Sequence, residues 1–268
     1  MIVVKIGGST LGAHDTSLDD IAALHAGGER IVVVHGGGAT ISEWLATHGI
    51  ESRFVRGLRA TDEAALEVVV AVLAGVVNKR LVAGLAARGA RAIGLSGADR
   101  GIMRARRYDP ELGYVGEVTN VDADALRALA GDAIVVLAPI ALEDRSARPA
   151  LSAAKGPAPS STEGLLNVNA DTAAGEVAAA LAADHLVFLT DVAGVLDRDG
   201  RRQESLAPEE ARALLADGSV SGGMIPKVEA GLRAAAAGSV TNVVDGREAG
   251  ALRRLLAGES VGTRIGAE

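Results

Sequence analysis

The chain has no cysteine and very few aromatic residues. Its 268 residues include no Cys, one Trp, two Tyr and two Phe. Without cysteine, the protein cannot form disulfides, thiolate zinc sites, iron–sulfur clusters or a cysteine nucleophile. Positive charge is also in deficit, because 27 basic residues face 34 acidic ones and give a formal net charge of −7. Such a chain is a poor candidate for non-specific nucleic-acid binding, so we expect no nucleic-acid partner.

Long apolar runs are missing as well. No run approaches the roughly 18 apolar residues of a membrane span. Residues 1–5 do not form a basic region followed by a long apolar stretch, so no signal peptide is evident. We therefore expect a cytoplasmic protein without a membrane partner. Lysine is scarce too, since only four of the 27 basic residues are lysines, namely Lys5, Lys79, Lys155 and Lys227.

What the sequence does contain is an alternation of β-branched and helical segments. Ala- and Leu-rich stretches separate the β-branched runs, and the clearest helix has Thr61 as its predicted N-cap and ends near Gly89. This alternation predicts an α/β fold. Five runs are continuously apolar, as strands are when both faces of a parallel sheet are covered: residues 2–6, 31–34, 134–137, 186–189 and 240–244.

One segment, residues 146–162, departs from this pattern because it is rich in Ala, Pro and Ser. It has few side chains to bury, and it falls between a strand that ends near Ile140 and the apolar residues that begin at Leu165. We interpret it as the tip of an inserted hairpin near a domain boundary. Its deletion should leave the stability of the protein nearly unchanged.

Glycines follow two of the predicted strands directly. The first strand continues into Gly7 and Gly8, and the second continues through His35 into residues 36–38, which are all glycine. Glycine at the carboxyl end of a strand lets backbone N–H groups approach an anion closely, and a following helix adds positive potential. Neither loop has the spacing of a P-loop or of a dinucleotide-binding fingerprint. The two loops therefore predict a site for anionic groups without naming the ligand.

Several charged and polar residues stand at positions where chemistry could occur. Lys5 interrupts an apolar strand, and Lys227 lies in the first turn of a predicted helix, where the helix dipole disfavours a cation. Asn169 and Asp171 open an Ala-rich helix, and either could be its N-cap. The five histidines show no metal-ligand spacing, so we predict no metal-binding residue.

These motifs resemble those of the amino acid kinase family, in family order from residue 2 to residue 265. Gly222 is a departure, since an Asp is common at that position in the family. The resemblance implies a three-layer αβα sandwich with a mainly parallel central sheet. It also implies an amino-acid lobe at 1–164, with the insertion near 145–162, and a nucleotide-binding lobe at 165–268. The motifs that carry it are residues 5–9, 35–38, 57–61, 167–171, 190–196, 223–227 and 262–265.

Within the family, the motifs are most similar to those of kinases that use ATP to phosphorylate the side-chain carboxylate of N-acetyl-L-glutamate in arginine biosynthesis. Lys5 and Lys227 would then neutralise charge on the phosphates, and Asp171 would orient both ammonium groups. Mg²⁺ would bridge the phosphates. The substrate would be bound by Gly37, Gly38, Arg59 and Asn167. The nucleotide would be bound by Gly7, Gly8, Asp191, Gly194, Val195, Leu196, Ser219, Val220 and Ser221.

Two other activities fit the motifs. One is a kinase that acts on aminoadipate or glutamate attached to a carrier protein, and the other is a non-catalytic nucleotide-binding regulator. For assembly, we expect a homodimer that packs through the long helix, because Val68, Val69, Val70 and Val72 exceed one core-facing stripe. The first predicted strand begins at Ile2. We therefore expect no preceding helix of the kind that joins dimers into rings in arginine-inhibited members, and no inhibition by arginine.

Overall fold

The continuously apolar segments lie side by side in one sheet. The computed structural model of the protein describes residues 1–7, 16–144 and 162–266. The strands are β1 (Ile2–Ile6), β2 (Ile31–His35), β3 (Phe54–Val55), β4 (Leu58–Arg59), β5 (Ala92–Ser96), β6 (Met103–Arg107), β7 (Val115–Val121), β8 (Ile134–Ala138), β9 (Ile140–Glu143), β10 (Leu165–Val168), β11 (His185–Thr190), β12 (Ser205–Leu206), β13 (Val240–Asp245) and β14 (Thr263–Ile265).

Helices cover both faces of this sheet. A π-helical segment, Ala71–Val77, joins two of them into one continuous helix, Glu63–Ala86. The α-helices are α1 (Ser17–Ala26), α2 (Gly38–Thr47), α3 (Glu63–Val70), α4 (Asn78–Ala86), α5 (Ala123–Leu129), α6 (Ala170–Leu181), α7 (Pro208–Ala216), α8 (Met224–Ala235) and α9 (Ala251–Leu256).

The central sheet has eight strands in the order β12-β14-β13-β11-β1-β2-β8-β5. All neighbours run parallel except β13 and β14, which are antiparallel. Alternate residues of each strand enter two separate cores: Val3 and Val32 pack with α6 and α8, and Val4 and Val33 pack with α1 and the long helix. Because helices pack on both faces of the sheet, the predicted three-layer sandwich is confirmed. Burial on both faces also explains why the central strands are apolar throughout.

A second, smaller sheet lies beside the first. Strands β6, β7, β9 and β10 pair into a closed four-stranded arrangement. Its strands β9 and β10 are antiparallel, with Leu165 opposite Leu142, so the segment between them connects the two arms of a hairpin, as predicted. The tip itself, 145–161, lies outside the described residues. The division into lobes at residue 164 stays a prediction.

The structure corrects the predicted start of the long helix and agrees with its predicted end. Its N-cap is Asp62, whose carboxylate accepts a hydrogen bond of 2.8 Å from the backbone N–H of Ala65. Thr61 is not the cap, because it forms a bridge with Gly113 before the helix starts. The helix ends at Ala86, and Gly89 follows with a φ of +75°, the left-handed conformation expected just after a helix.

The expectation that four valines of this helix form an exposed apolar surface is wrong. Val68, Val69 and Val72 are buried within the chain itself, with at most 8% of each exposed. By length and composition alone, Glu63–Ala86 is the one helix in the described part of the chain that could cross a membrane. Its valines, however, pack against the sheet and α2, so its apolar composition serves the core of the protein.

Candidate active site

A cleft opens at the carboxyl ends of the parallel strands, where ligands of open α/β sheets bind. Its volume is about 320 Å³. Lys5 of β1 and Arg59 of β4 reach it from two sides, and the first turns of α2 and α6 contribute backbone. Six residues predicted from the sequence line this one cavity: Lys5, Gly37, Gly38, Arg59, Asn167 and Asp171.

Two buried lysines share one buried carboxylate beside the cleft. Lys5 Nζ lies 2.9 Å from Asp171 Oδ1, and Lys227 Nζ lies 3.2 Å from Asp171 Oδ2. Lys227 also donates to the carbonyl of Gly223 at 3.1 Å. Oδ1 has no partner of hydrogen-bond geometry among the described residues, so its contact with Lys5 is an ion pair held by charge. The group of three carries one net positive charge in a site sheltered from water.

Local sequence explains how this group assembles. Asn169 caps α6, since its Oδ1 accepts hydrogen bonds from the N–H groups of Asp171 and Thr172 at 2.9 and 3.1 Å. The cap leaves the Asp171 carboxylate free to meet the lysines. Helices α6 and α8 approach each other closely because Gly175 has no side chain: a Cβ there would lie 2.7 Å from that of Ala230. Asp171 and Lys227 are therefore brought together.

Electrostatics makes Lys5 dependent on its neighbours. Burial lowers the pKa of Lys5, the charge of Asp171 raises it, and the charge of Lys227 lowers it again. The charge of Asp191, directly after β11, also raises the pKa of Lys5, and this effect is the smallest of them. The ammonium group stays charged more readily when these carboxylates are ionised, or when a ligand anion joins them.

The glycine loop, residues 36–38, brings backbone to the cleft. Gly37 lies so close to the π-helical segment that a Cβ would come within 2.8 Å of Leu73 Cδ2. Helix α2 begins at Gly38 with its N-terminus at the cavity, and the first N–H groups of a helix have no partner within it. In the other glycine loop, the N–H of Gly7 donates to the carbonyl of Leu189 at 3.2 Å. Gly8 lies outside the described residues.

The β3–β4 hairpin carries Arg59. Its turn residues Arg56 and Gly57 both have positive φ, at 49° and 78°, as a two-residue hairpin turn requires. Arg59 is 9% exposed, and its Nη2 donates to the Gly38 carbonyl at 3.2 Å and to Ser42 Oγ at 2.9 Å. Burial lowers its pKa, but a guanidinium stays charged in proteins.

Three further contacts complete this side of the cleft. Ser52 accepts a hydrogen bond from Arg59 Nη1, and the Arg59 guanidinium carbon lies 4.7 Å from the ring centre of Phe54. Asn167 Nδ2 donates to Thr61 Oγ1 at 3.2 Å. The sequence analysis missed Ser42, Ser52 and Phe54, because their role depends on a fold that places them around one guanidinium.

The predicted nucleotide residues lie elsewhere at the same sheet edge, and of these Asp191 is exposed where β11 ends. Val195 is buried, and its N–H donates to Thr263 Oγ1 at 2.8 Å. Gly194, with a φ of +148°, passes close to that threonine, and Leu196 is 45% exposed. In the described part of the chain, none of these residues lines the 320 Å³ cavity.

The loop at 219–221 is held by contacts of its own. The Ser219 hydroxyl donates to Asp217 Oδ1 at 2.5 Å and accepts from Arg198 Nε at 3.0 Å. Val220 is buried, and Ser221 is exposed next to it. These two loops border an open surface that also exposes the apolar side chains of Val192, Leu196 and Ile225.

Comparison with known proteins adds an independent finding. The model of the amino acid kinase family matches residues 1–244. An acetylglutamate kinase of Dehalococcoides mccartyi is 41% identical over 266 residues, which cover 99% of this chain and 94% of that protein. An acetylglutamate kinase of Acidiphilium cryptum is 45% identical over 265 residues, which cover 92% and 83% of the two chains.

A solved structure resembles the whole chain. It is the N-acetylglutamate synthase of Neisseria gonorrhoeae, complexed with coenzyme A and N-acetyl-glutamate. Its TM-score is 0.80 at 26% identity, and the alignment covers 100% of this chain and 59% of the synthase. The fold described here is therefore shared with a protein that has a further region of its own.

Proposed function

Because this chain belongs to the amino acid kinase family, we propose that it transfers the γ-phosphoryl group of ATP to the side-chain carboxylate of N-acetyl-L-glutamate, a step of arginine biosynthesis. The product is an acyl phosphate. The observation that carries the proposal is the buried ion-pair group Lys5–Asp171–Lys227, of which Lys5 and Asp171 line one cleft together with the fixed guanidinium of Arg59. Two relatives that align with more than nine-tenths of this chain are acetylglutamate kinases.

The acceptor needs no general base. A glutamate side chain has a pKa of about 4.3 and is already ionised at neutral pH. Asp171 is the one carboxylate among the described residues that line the cleft, and both its oxygens face lysines. It is therefore suited to hold the lysines in place, while the substrate carboxylate attacks phosphorus directly.

The difficult part of the reaction is bringing two anions together. Lys5 places an ammonium group in the cleft, Lys227 places a second one beside it on the other oxygen of Asp171, and the N-terminus of α2 adds the positive end of a helix. Phosphoryl transfer is accelerated almost entirely by positioning and by stabilising the charge of the transferring group. The lysines do both, provided that each keeps its proton.

Arg59 gives the cleft its preference for an acid with a second carboxylate. Its guanidinium is held by Ser42 and the Gly38 carbonyl, and it can pair with the α-carboxylate of the substrate. Asn167, whose Nδ2 donates to Thr61 two residues beyond Arg59, also lines the cleft and would hold the rest of the acetylated amino acid. These contacts suit a small free acid that carries two carboxylates.

Magnesium would be carried by the nucleotide. No group of three or more His, Cys, Asp or Glu residues that could hold a metal exists within residues 1–7, 16–144 and 162–266. The carboxylate of Asp171 is already shared by two lysines. Mg²⁺ commonly binds through substrate phosphates with few protein ligands, so we assign no protein step to it. The loops at 190–196 and 219–221 would hold the nucleotide.

We further propose a soluble, cytoplasmic homodimer. Strand β5 forms one edge of the central sheet, and Ile93 on this strand is 37% exposed. An edge strand with an exposed apolar side chain is a ready surface for pairing with a second copy. Static light scattering should give twice the mass of the chain, and Ile93→Lys should reduce it to the mass of one chain.

The activity is tested by ADP release with four acids side by side: N-acetyl-L-glutamate, glutamate, aspartate and aminoadipate. We expect release with N-acetyl-L-glutamate alone, together with a hydroxamate when hydroxylamine traps the acyl phosphate. If ADP is released faster with free aminoadipate, aminoadipate is the substrate and N-acetyl-L-glutamate is not. Failure with every free acid would leave the carrier-linked kinase or the non-catalytic regulator as the better account.

A further inference from the structure

His35 is a buried titratable group that the reaction described above does not use. It ends β2 directly before the glycine loop, and its side chain is fully buried. In the sheet it pairs in register with Ile6, one residue beyond Lys5. Adjacent residues of a strand point to opposite faces, so the imidazole lies on the face opposite the Lys5 ammonium group.

Two hydrogen bonds fix the tautomer of this imidazole. Nδ1 lies 3.0 Å from the carbonyl oxygen of Gly36, which can only accept, so Nδ1 carries the hydrogen. Nε2 lies 3.2 Å from Nδ2 of Asn78, an amide group that can only donate, so Nε2 has a free lone pair. Both contacts are satisfied together only by the neutral ring with its proton on Nδ1.

The orientation of Asn78 is fixed in turn by the sheet. Its Nδ2 also lies 2.9 Å from the carbonyl oxygen of Val136 on β8 and 3.2 Å from that of Leu95 on β5. With His35 Nε2 this makes three acceptors for two hydrogens, so one hydrogen is shared between two of them. Its Oδ1 accepts from Lys79 Nζ at 3.0 Å. A reversed amide would set its oxygen against both carbonyls. Asn78 is fully buried, and it connects two strands of the sheet to the imidazole.

The glycine loop is thereby held from two sides. The imidazole holds the Gly36 carbonyl, and Leu73 and Val77 pack against Gly37, where a Cβ would lie 2.8 and 3.3 Å from their side chains. Both of these side chains belong to the π-helical segment, which ends immediately before Asn78. The same stretch of helix therefore supplies the side chains that pack against Gly37 and, at Asn78, the hydrogen bond to the imidazole of His35.

Charges around the ring favour the neutral form. Burial lowers the pKa of His35 to about 4, and the positive charges of Lys5 on β1 and Lys79 on α4 lower it as well, whereas the hydrogen bond to Gly36 opposes the shift. A second proton would have to sit on Nε2, where it would face the amide hydrogens of Asn78. The tautomer should therefore persist through the whole neutral range of pH.

We propose that His35 and Asn78 form a positioning pair, which holds the glycine loop so that the backbone donors at the start of α2 meet the reacting groups. This inference rests on the proposed function, because it assigns those donors to the phosphoryl transfer. Neither residue lines the cleft. An error of about 1 Å in the position of such donors can cost about 10²-fold in rate.

The first test needs no activity. Long-range ¹H–¹⁵N spectra of the full chain, with the His35 signals assigned by comparison with His35→Gln, report which ring nitrogen carries hydrogen. We expect the proton on Nδ1 and no titration between pH 5 and 8. A ring protonated on Nε2, or a midpoint near the ordinary histidine value of about 6.5, would overturn the proposal.

The second test separates the two bonds by mimicry. His35→Asn places an amide N–H where Nδ1 was, and His35→Gln places an amide oxygen where Nε2 was, whereas His35→Leu offers neither. We expect His35→Leu to lower kcat by about 10-fold or more, with little change in the KM for ATP. His35→Asn should recover more of the loss than His35→Gln, because it keeps the bond to the loop.

A control and a second variant keep the result interpretable. His185→Gln changes a half-buried histidine at the opposite end of the sheet and should leave kcat unchanged. Asn78→Ala should raise the pKa of His35 and lower kcat in parallel. Equal kcat in all His35 variants and wild type would contradict the proposal, as would a loss confined to the KM for ATP. If the wild-type protein is inactive on N-acetyl-L-glutamate, the proposed function is refuted. The NMR measurement of the His35 tautomer would then still test whether His35 and Asn78 are paired as proposed.

Discussion

Two regions of the proposed site differ in how their polar groups are held. In the cleft region proposed to bind the acid, which we call the substrate half (Gly37, Gly38, Arg59 and Asn167), the guanidinium is buried and fixed by hydroxyl and carbonyl oxygens. The region proposed to bind the nucleotide, which we call the nucleotide half (residues 190–196 and 219–221), does not line that cleft. Its loops are more exposed, and several of their polar groups bond to neighbouring protein, as the N–H of Val195 does to Thr263.

This difference bears on selectivity. We infer that the substrate half recognises its acid by charge and geometry that exist before binding, which lowers the entropy cost of holding a small ligand. The nucleotide half offers main chain and exposed apolar side chains, among them Val192, Leu196 and Ile225. We infer that Lys5, Asp171 and Lys227 connect the two halves, because Lys5 and Asp171 line the cleft and the charge of Asp191 raises the pKa of Lys5.

The largest effect should come from breaking that junction. Lys5→Ala and Lys227→Ala should each fold and lower kcat by about 10²-fold or more, since an ammonium group that stabilises transferring charge is lost. Steady-state kinetics measures the loss. The matched control is Arg233→Ala. It removes an exposed ion pair of 3.0 Å with Glu176, which joins α8 to α6 as the buried pair of Lys227 and Asp171 does. Retention of a tenth of wild-type kcat would remove that lysine from the mechanism.

Arg59→Leu tests whether the substrate half and the nucleotide half act independently of each other. Losing two charge-assisted hydrogen bonds to a carboxylate costs about 3 kcal/mol, or about 10²-fold in the KM for N-acetyl-L-glutamate. The KM for ATP should change little. Arg53→Leu is the control, because that arginine lies near the same hairpin but is 57% exposed. Equal changes in both KM values would place the substrate clamp elsewhere.

Gly37→Ala tests whether the substrate half is as rigid as its packing indicates. The new Cβ would lie 2.8 Å from Leu73 Cδ2, so the loop must shift, and we expect a fall in kcat of about 10-fold. Leu73→Ala in the same chain should relieve the contact and restore part of the rate. If Gly37→Ala alone is as active as wild type, the glycine loop accommodates the added methyl group without loss of function.

The smallest effect concerns Asp191 in the nucleotide half. Its charge helps to raise the pKa of Lys5, against the lowering by burial. Since a protonated Lys5 is required, activity should fall as pH rises through its pKa, and Asp191→Asn should move that fall to lower pH. The pH profile of kcat/KM measures the shift. An unchanged or higher alkaline limit would show that the two groups are not coupled.

Much of the fold could be predicted from the sequence. The five buried strands were located to within about two residues, because strands covered on both faces must be continuously apolar. Lys5 and Lys227 stood out for physical reasons, as charges in an apolar strand and in the first turn of a helix. The role of Asp171 was indicated by the family resemblance, because an acid at a helix start is in an ordinary position. What the sequence left open was whether Asn169 or Asp171 caps α6. The structure shows Asn169 as the cap.

Other features required the three-dimensional structure. In a helix so rich in valine, the apolar pattern does not show which side chains face inward, so three of the four interface valines were misplaced. The π-helical segment shifts the helical phase at Ala71–Val77, which spacing alone cannot reveal. The contacts of Arg59 with Ser42 and of His35 with Asn78 join residues that are 17 and 43 positions apart in the chain.

The most direct test of the account is ³¹P NMR of the protein with ATP, Mg²⁺ and N-acetyl-L-glutamate. We predict that an acyl phosphate signal grows as the γ-phosphate signal of ATP declines, and that hydroxylamine removes it. Neither change should occur at a comparable rate with Lys227→Ala. Loss of the γ-phosphate signal to inorganic phosphate alone, or an acyl phosphate formed equally fast by that variant, would contradict the account.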